Sequence, residues 1–135
     1  MTYQAIYYRD SRRRQPVKDF IRTLDDECQD SIDWTVDLLN GLSDSNPHLG
    51  DPYTSGLKGK DYTSFRELKT DCGRMHYRIF FRRHDRFFIL LHMVYKTNKI
   101  EEGDKKIALD RWNDFIERMN VEVRKPPRAM GSDAP

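Results

Sequence analysis

The chain has little of what small stapled or metal-built domains depend on. It has two cysteines among 135 residues, Cys28 and Cys72. Two are too few for a disulfide framework. Neither lies in a Cys-x-x-Cys or Cys-x-x-His arrangement that would cage zinc, so a reduced, cytosolic setting is the expectation. No apolar run approaches the ~20 residues that span a bilayer, and the stretch from Met1 to Ser11 lacks the apolar centre of a secretory signal. The histidines His48, His76, His84 and His92 are scattered and form no His-Glu-x-x-His pair, which argues against a zinc protease. A Gly-x-Ser-x-Gly elbow, a glycine-rich phosphate loop and a carboxylate cluster able to hold magnesium are all missing. The expectation is a protein that works with neither metal nor cofactor.

What is there begins with length and charge. The chain suits one domain able to bury a core without staples. Its net charge of +2 hides a strong asymmetry. Between Asp19 and Asp51 there are nine acids and one base, a net of −8; between Leu57 and Lys99 there are eleven bases and four acids, a net of +7. Such segregation fits a basic surface for a polyanion backed by an acidic helical face, although two solvated charged faces would read the same way.

Tyr3 to Tyr8 is rich in aromatics and reads as a strand. Pro16 suits the first position of a helix, and Val17, Phe20, Ile21 and Leu24 follow at helical spacing. Asp25 and Asp26 favour the start of a second helix, on which Cys28, Ile32, Thr35, Val36 and Leu39 form a stripe before Gly41 and the run from Ser43 to Pro47 end it. These helices read as a hairpin. After a loop over 46–60, strands are predicted at 65–70, 74–82 and 87–95, joined by turns at 71–73 and 83–86 into an antiparallel meander. Ile107, Ala108, Trp112, Phe115, Ile116 and Met119 trace one face of a last helix. Residues 1–120 are read as the domain and 121–135 as a flexible tail. The fold class is α+β, in the order β-α-α-β-β-β-α.

Alternation along the strands places Glu67 and Lys69 on one face with Leu68 on the other. Arg74, His76, Arg78, Phe80 and Arg82 share a face of the next strand, and His92, Val94 and Lys96 share one of the third. Ile79, Phe81, Ile89 and Leu91 are expected to supply the opposite, helix-packed face of a one-sided sheet. Surface arginines on a solvated face are the plain alternative. Arg78 weighs against it, because a charge among Tyr77, Ile79, Phe80 and Phe81 must find a partner or a purpose. His92, after Ile89, Leu90 and Leu91, reads first as a packed core histidine and second as an RNA contact.

Several short motifs then fall in a familiar order: Pro16-Val17-Lys18-Asp19-Phe20, Leu57-Lys58-Gly59, Glu67-Leu68-Lys69, Gly73, Arg78-Ile79-Phe80-Phe81, Leu90-Leu91-His92, Lys96 to Lys99, and Ala108 with Arg111. In this the chain resembles the RelE/ParE superfamily of toxins, most closely its phage-derived HigB-like branch, from about Tyr3 to Met119. Two positions depart from the pattern: Lys69 replaces the usual arginine of Glu-Leu-Arg, and the basic loop after Tyr95 is shortened, with Gly103 near it. The resemblance implies a small RelE-like fold and cytoplasmic cleavage of mRNA on the ribosome. It also implies neutralisation by a cognate antitoxin, typically of helix-turn-helix type.

RNA carries its own nucleophile, the 2′-hydroxyl, so a protein need only move protons and stabilise a crowded phosphorane. On that reading Lys69 is the candidate base, since a lysine among other cations has a lowered pKa, and Glu67 orients it. Arg78 clamps the scissile phosphate, and Lys96 or Lys99 serves the leaving oxygen. Lys58, Arg66, Arg74 and His92 complete the candidate RNA contacts. A ParE-like poison of DNA gyrase would share the fold without needing Lys69 and Arg78 together. A non-catalytic nucleic-acid-binding module is the third reading.

Overall fold

The structure is a computed structural model that describes residues 2–96 and 100–124. Its elements are β1 (Gln4–Tyr7), α1 (Pro16–Arg22), α2 (Asp26–Asn40), β2 (Thr54–Gly56), a 3₁₀ turn (Lys60–Tyr62), β3 (Arg66–Cys72), β4 (Met75–His84), β5 (Phe87–Tyr95) and α3 (Glu102–Arg124). The α+β class therefore holds, with one short strand, β2, inside the segment expected to be loop. None of the described helices is long and apolar enough to cross a membrane.

Local chemistry accounts for the helices. Pro16 opens α1, which buries Val17 and Ile21. The Asp25 carboxylate caps α2 by accepting from the Cys28 N–H at 2.8 Å, and Asp26 and Glu27 sit in the first turn, where the helix dipole favours anions. The predicted stripe from Cys28 to Leu39 is buried, and Gly41 follows as the C-cap. α3 continues through Arg124, past the boundary expected at residue 120; residues 125–135 of the expected tail lie outside the described residues.

The five strands form one sheet in the order β1-β5-β4-β3-β2. β3, β4 and β5 are the predicted meander, with Gly73 at φ 59° in the first turn. The sheet is mixed rather than wholly antiparallel, because β1 pairs parallel to β5, with Gln4 opposite Phe87 and Tyr7 opposite Leu90.

The expectation of a one-sided sheet fails. α1 and α2 cover one face through Leu68, Ile79, Phe81 and Leu90. The other face carries a second core of Phe65, Phe80, Ile89 and Leu91, closed by Ala108 and Trp112 of α3. Ile89 and Leu91 thus lie opposite Ile79 and Phe81, not beside them. The cause is legible in β5, whose run from Phe87 to Leu91 is apolar without alternation, as suits a strand buried on both faces. A register shift between Phe80 and Phe81 leaves Leu91 as the extra residue on β5.

The cysteines also depart from expectation. Cys28 near the start of α2 and Cys72 at the end of β3 are joined in a disulfide, so neither thiol is free. The two positions are 44 residues apart, and no local spacing signals the pairing.

Candidate functional site

α3 packs on β5 and β4 and leaves the β3 side of that sheet face uncovered. What remains between β2, β3, β4 and the start of α3 is an open cleft of about 860 Å³. Five of the predicted site residues line it: Lys58, Glu67, Lys69, Arg78 and Lys96. Alternation brings Glu67, Lys69 and Arg78 onto one face, and Lys69 lies directly opposite Arg78 in the ladder. Lys96 follows β5 and is tied to β4 by its N–H, which donates to the His76 carbonyl at 2.7 Å.

Arg78 is the most buried cation of the predicted set, with 12 % of its side chain exposed. Its Nε lies 3.6 Å from Glu67 Oε1, and its Nη1 lies 3.7 Å from Asp71 Oδ1 and donates to the Tyr77 carbonyl at 2.8 Å. The Nε is buried and makes no hydrogen bond among the described residues. The Arg78–Glu67 contact is therefore an ion pair without a hydrogen bond, leaving one strong donor unsatisfied. Glu67 is as buried as Arg78 and accepts from the Ser55 hydroxyl at 3.2 Å. Lys69 is partly exposed, its Nζ 4.0 Å from Asp51 Oδ1.

Lys58 is placed by its neighbours. Gly59 has φ 123°, and a Cβ there would lie 2.9 Å from the Tyr62 ring, so the bend after Lys58 requires glycine. The Lys58 carbonyl accepts from Lys105 Nζ at 2.7 Å. Lys105 is itself buried and pairs with Glu102 at 3.2 Å. Sequence reasoning missed this lysine, because a lone lysine on α3 carries no local sign that it turns inward. Glu101 and Glu102 also line the cleft, so its far wall is acidic rather than uniformly basic.

Other predicted residues lie elsewhere. Arg66 belongs to the opposite face with Leu68: it lines a separate pocket of about 310 Å³ with Leu39, Leu42 and Phe81, and donates to the Thr54 hydroxyl at 2.8 Å. It is not part of the cleft. Arg74 sits in the β3–β4 turn, exposed and outside the cleft. Lys99 lies outside the described residues. Arg82 is on the expected face but stacks 4.4 Å above the Trp112 ring, and burial lowers its pKa.

His92 is packed, as its first reading held. Its Nδ1 lies 3.1 Å from Arg111 Nη1 and its Nε2 lies 2.9 Å from Asp104 Oδ1. A guanidinium can only donate, so Nδ1 accepts and Nε2–H donates to Asp104. Burial pushes the His92 pKa below its ordinary value, with the Arg111 charge in the same direction and Asp104 opposing. With both nitrogens engaged, His92 is not an RNA contact in this arrangement. Asp25, Cys28 and Cys72 also bring ligand-type atoms within 4.8 Å of one another. The sulfurs are bonded to each other and Asp25 caps α2, so this cluster lacks the thiolates that zinc requires.

A small α+β protein with a partly closed, cation-bearing sheet cleft is the class these features define. Residues 19–113 match the family model described as phage-derived protein Gp49-like (DUF891), a RelE-like toxin family, and the chain belongs to that family. A search of curated proteins finds no match to the sequence.

Proposed function

We propose that the protein is the toxin of a type II toxin–antitoxin system, of the HigB-like branch, and that it arrests growth by cutting mRNA on the ribosome. The observation that carries this reading is the meeting of Lys58, Lys69, Arg78 and Lys96 with Glu67 in one cleft. Arg78, which lines the cleft, clamps a phosphate oxygen with its guanidinium. Lys69, as the free amine, accepts the proton of the 2′-hydroxyl; Asp51 Oδ1 lies 4.0 Å from its Nζ. Lys58 and Lys96 hold the flanking phosphates and add positive charge where the phosphorane forms. The reaction is a transesterification that leaves a 2′,3′-cyclic phosphate and a 5′-hydroxyl, with no cofactor. The antitoxin acts by laying an acidic segment over this cleft.

The test is cleavage of mRNA on programmed ribosomes by the purified protein, with a second mRNA carrying one 2′-deoxy nucleotide just 5′ of the scissile phosphate. The unmodified mRNA is cut and the deoxy mRNA resists. Cutting of the deoxy substrate, or a 5′-phosphate product, would overturn the mechanism. Growth arrest that begins with gyrase-dependent DNA breaks instead of translation loss would favour the ParE-like reading.

A further inference from the structure

One cluster on the same sheet face is not used by this reaction scheme. His76 lies on β4 two positions before Arg78, and Asp71 lies opposite His76 on β3. The His76 Nδ1 is 2.9 Å from Asp71 Oδ1, the oxygen that also approaches Arg78 Nη1 at 3.7 Å. A single carboxylate oxygen thus joins the imidazole to the guanidinium. The His76 side chain is 54 % exposed, and among the described residues nothing takes its Nε2. This differs from His92, whose two nitrogens are both engaged. A histidine with one nitrogen held by a carboxylate and the other open is the arrangement in which the carboxylate fixes the tautomer and stabilises the imidazolium.

We propose that His76, oriented by Asp71, is the general acid that protonates the leaving 5′ oxygen in RNA cleavage. The inference rests on the function proposed above and names a group which that scheme leaves without a role. His76 and Asp71 stand outside the cleft lining, next to Arg78; residues two apart on a strand are separated by ~7 Å, a span that a phosphate and its leaving oxygen can bridge. In the step, the 2′ oxygen bonds to phosphorus and its proton passes to Lys69. The bond from phosphorus to the 5′ oxygen breaks as the Nε2 proton moves onto that oxygen. Lys69 then releases its proton to solvent and the neutral imidazole takes one up, so both groups are reset with no net change in protons. The charged groups around the ring are Asp71 on β3, Arg78 on its own strand, Lys69 diagonally across β3, Arg74 in the turn and Lys96 after β5. Four of these five groups are cations, so the ring sits in a field that draws a phosphate toward it. Asp71 is a positioning residue, since it reaches the substrate only through His76.

The experiment compares ordinary RNA with RNA whose leaving 5′ oxygen is replaced by sulfur, which departs without protonation. His76→Gln should cut ordinary RNA about 10²–10⁴-fold more slowly than the wild type and cut the sulfur-bridged RNA at close to the wild-type rate. Asp71→Asn should show a smaller loss with the same rescue and an altered pH–rate profile. His76→Gln cutting ordinary RNA at the wild-type rate would overturn the proposal. So would equal slowing on both substrates, which would make the role one of binding or structure. A wild type that cuts neither RNA would overturn the proposed function itself, and this inference with it.

Discussion

Replacing Arg78 by alanine should remove two things at once, and a second substitution separates them. Arg78 and Glu67 have side chains only 12 % and 8 % exposed, with Nε and Oε1 3.6 Å apart. Truncating the arginine leaves the Glu67 carboxylate buried without its cation, and breaking such a pair typically costs about 3–5 kcal/mol. The lower end applies here, because the contact contains no hydrogen bond and Glu67 keeps the Ser55 hydroxyl. Arg78→Ala should therefore lose about 3 kcal/mol, a urea midpoint lower by about 2 M at an m-value near ~1.5 kcal/mol/M. Adding Glu67→Gln removes the stranded charge, and the double variant should regain most of that loss. RNA cleavage should stay about 10²–10³-fold down in both variants, because the phosphate clamp is gone from each. Equilibrium urea unfolding followed by tryptophan fluorescence, alongside cleavage on programmed ribosomes, reads both effects. A single variant as stable as the wild type would refute the buried-pair reasoning. A double variant that cuts RNA normally would remove Arg78 from the reaction.

Two further outcomes follow from the packing. Reducing the Cys28–Cys72 bond opens a loop closed across 44 positions, and chain-entropy reasoning gives a loss of about 4 kcal/mol; a thermal melt with and without a thiol reductant should show a large fall in Tm, and coincident melts would refute it. His92 is held neutral with its pKa below the ordinary value, so the unfolded chain takes up its proton first as pH falls. Its contribution is thus present above the unfolded pKa of about 6.5 and is lost as pH falls toward the folded one. The stability advantage of wild type over His92→Gln should shrink between pH 8 and pH 5, and an advantage that grows on acidification would refute the assignment.

Local signals carried most of the fold. The Asp25 cap, the stripe on α2 and the bounds of β5 are written in short-range spacing. Period-two alternation in the sequence also places Glu67 with Lys69 and Arg78 with the polar residues of its own strand, and the β3–β4 register brings the three together. The same parity assigns Arg66 to the face of Leu68, a sign available in the sequence and outweighed by charge alone. Other features depend on distant partners. β1 joins β5 across the length of the meander, Cys28 meets Cys72, and Lys105 turns inward to reach the Lys58 carbonyl. None of these contacts has a counterpart in local periodicity, and propensity says nothing about which edge of a sheet a first strand will take.

β3 carries its two duties on alternate residues: Glu67 and Lys69 face the cleft, while Leu68 and Thr70 are buried toward α2. A strand organised in this way does not tolerate insertion or deletion of a single residue. Such a change upstream of Glu67 that kept the strand in place would exchange the faces, driving a carboxylate and an ammonium into the packing around Ile32 and presenting leucine and threonine to the cleft. Divergence at this site must therefore proceed by substitution within a fixed strand length. The exposed turn from Asp44 to Asn46, which precedes β2, is not bound by that parity and is where changes in length can be absorbed.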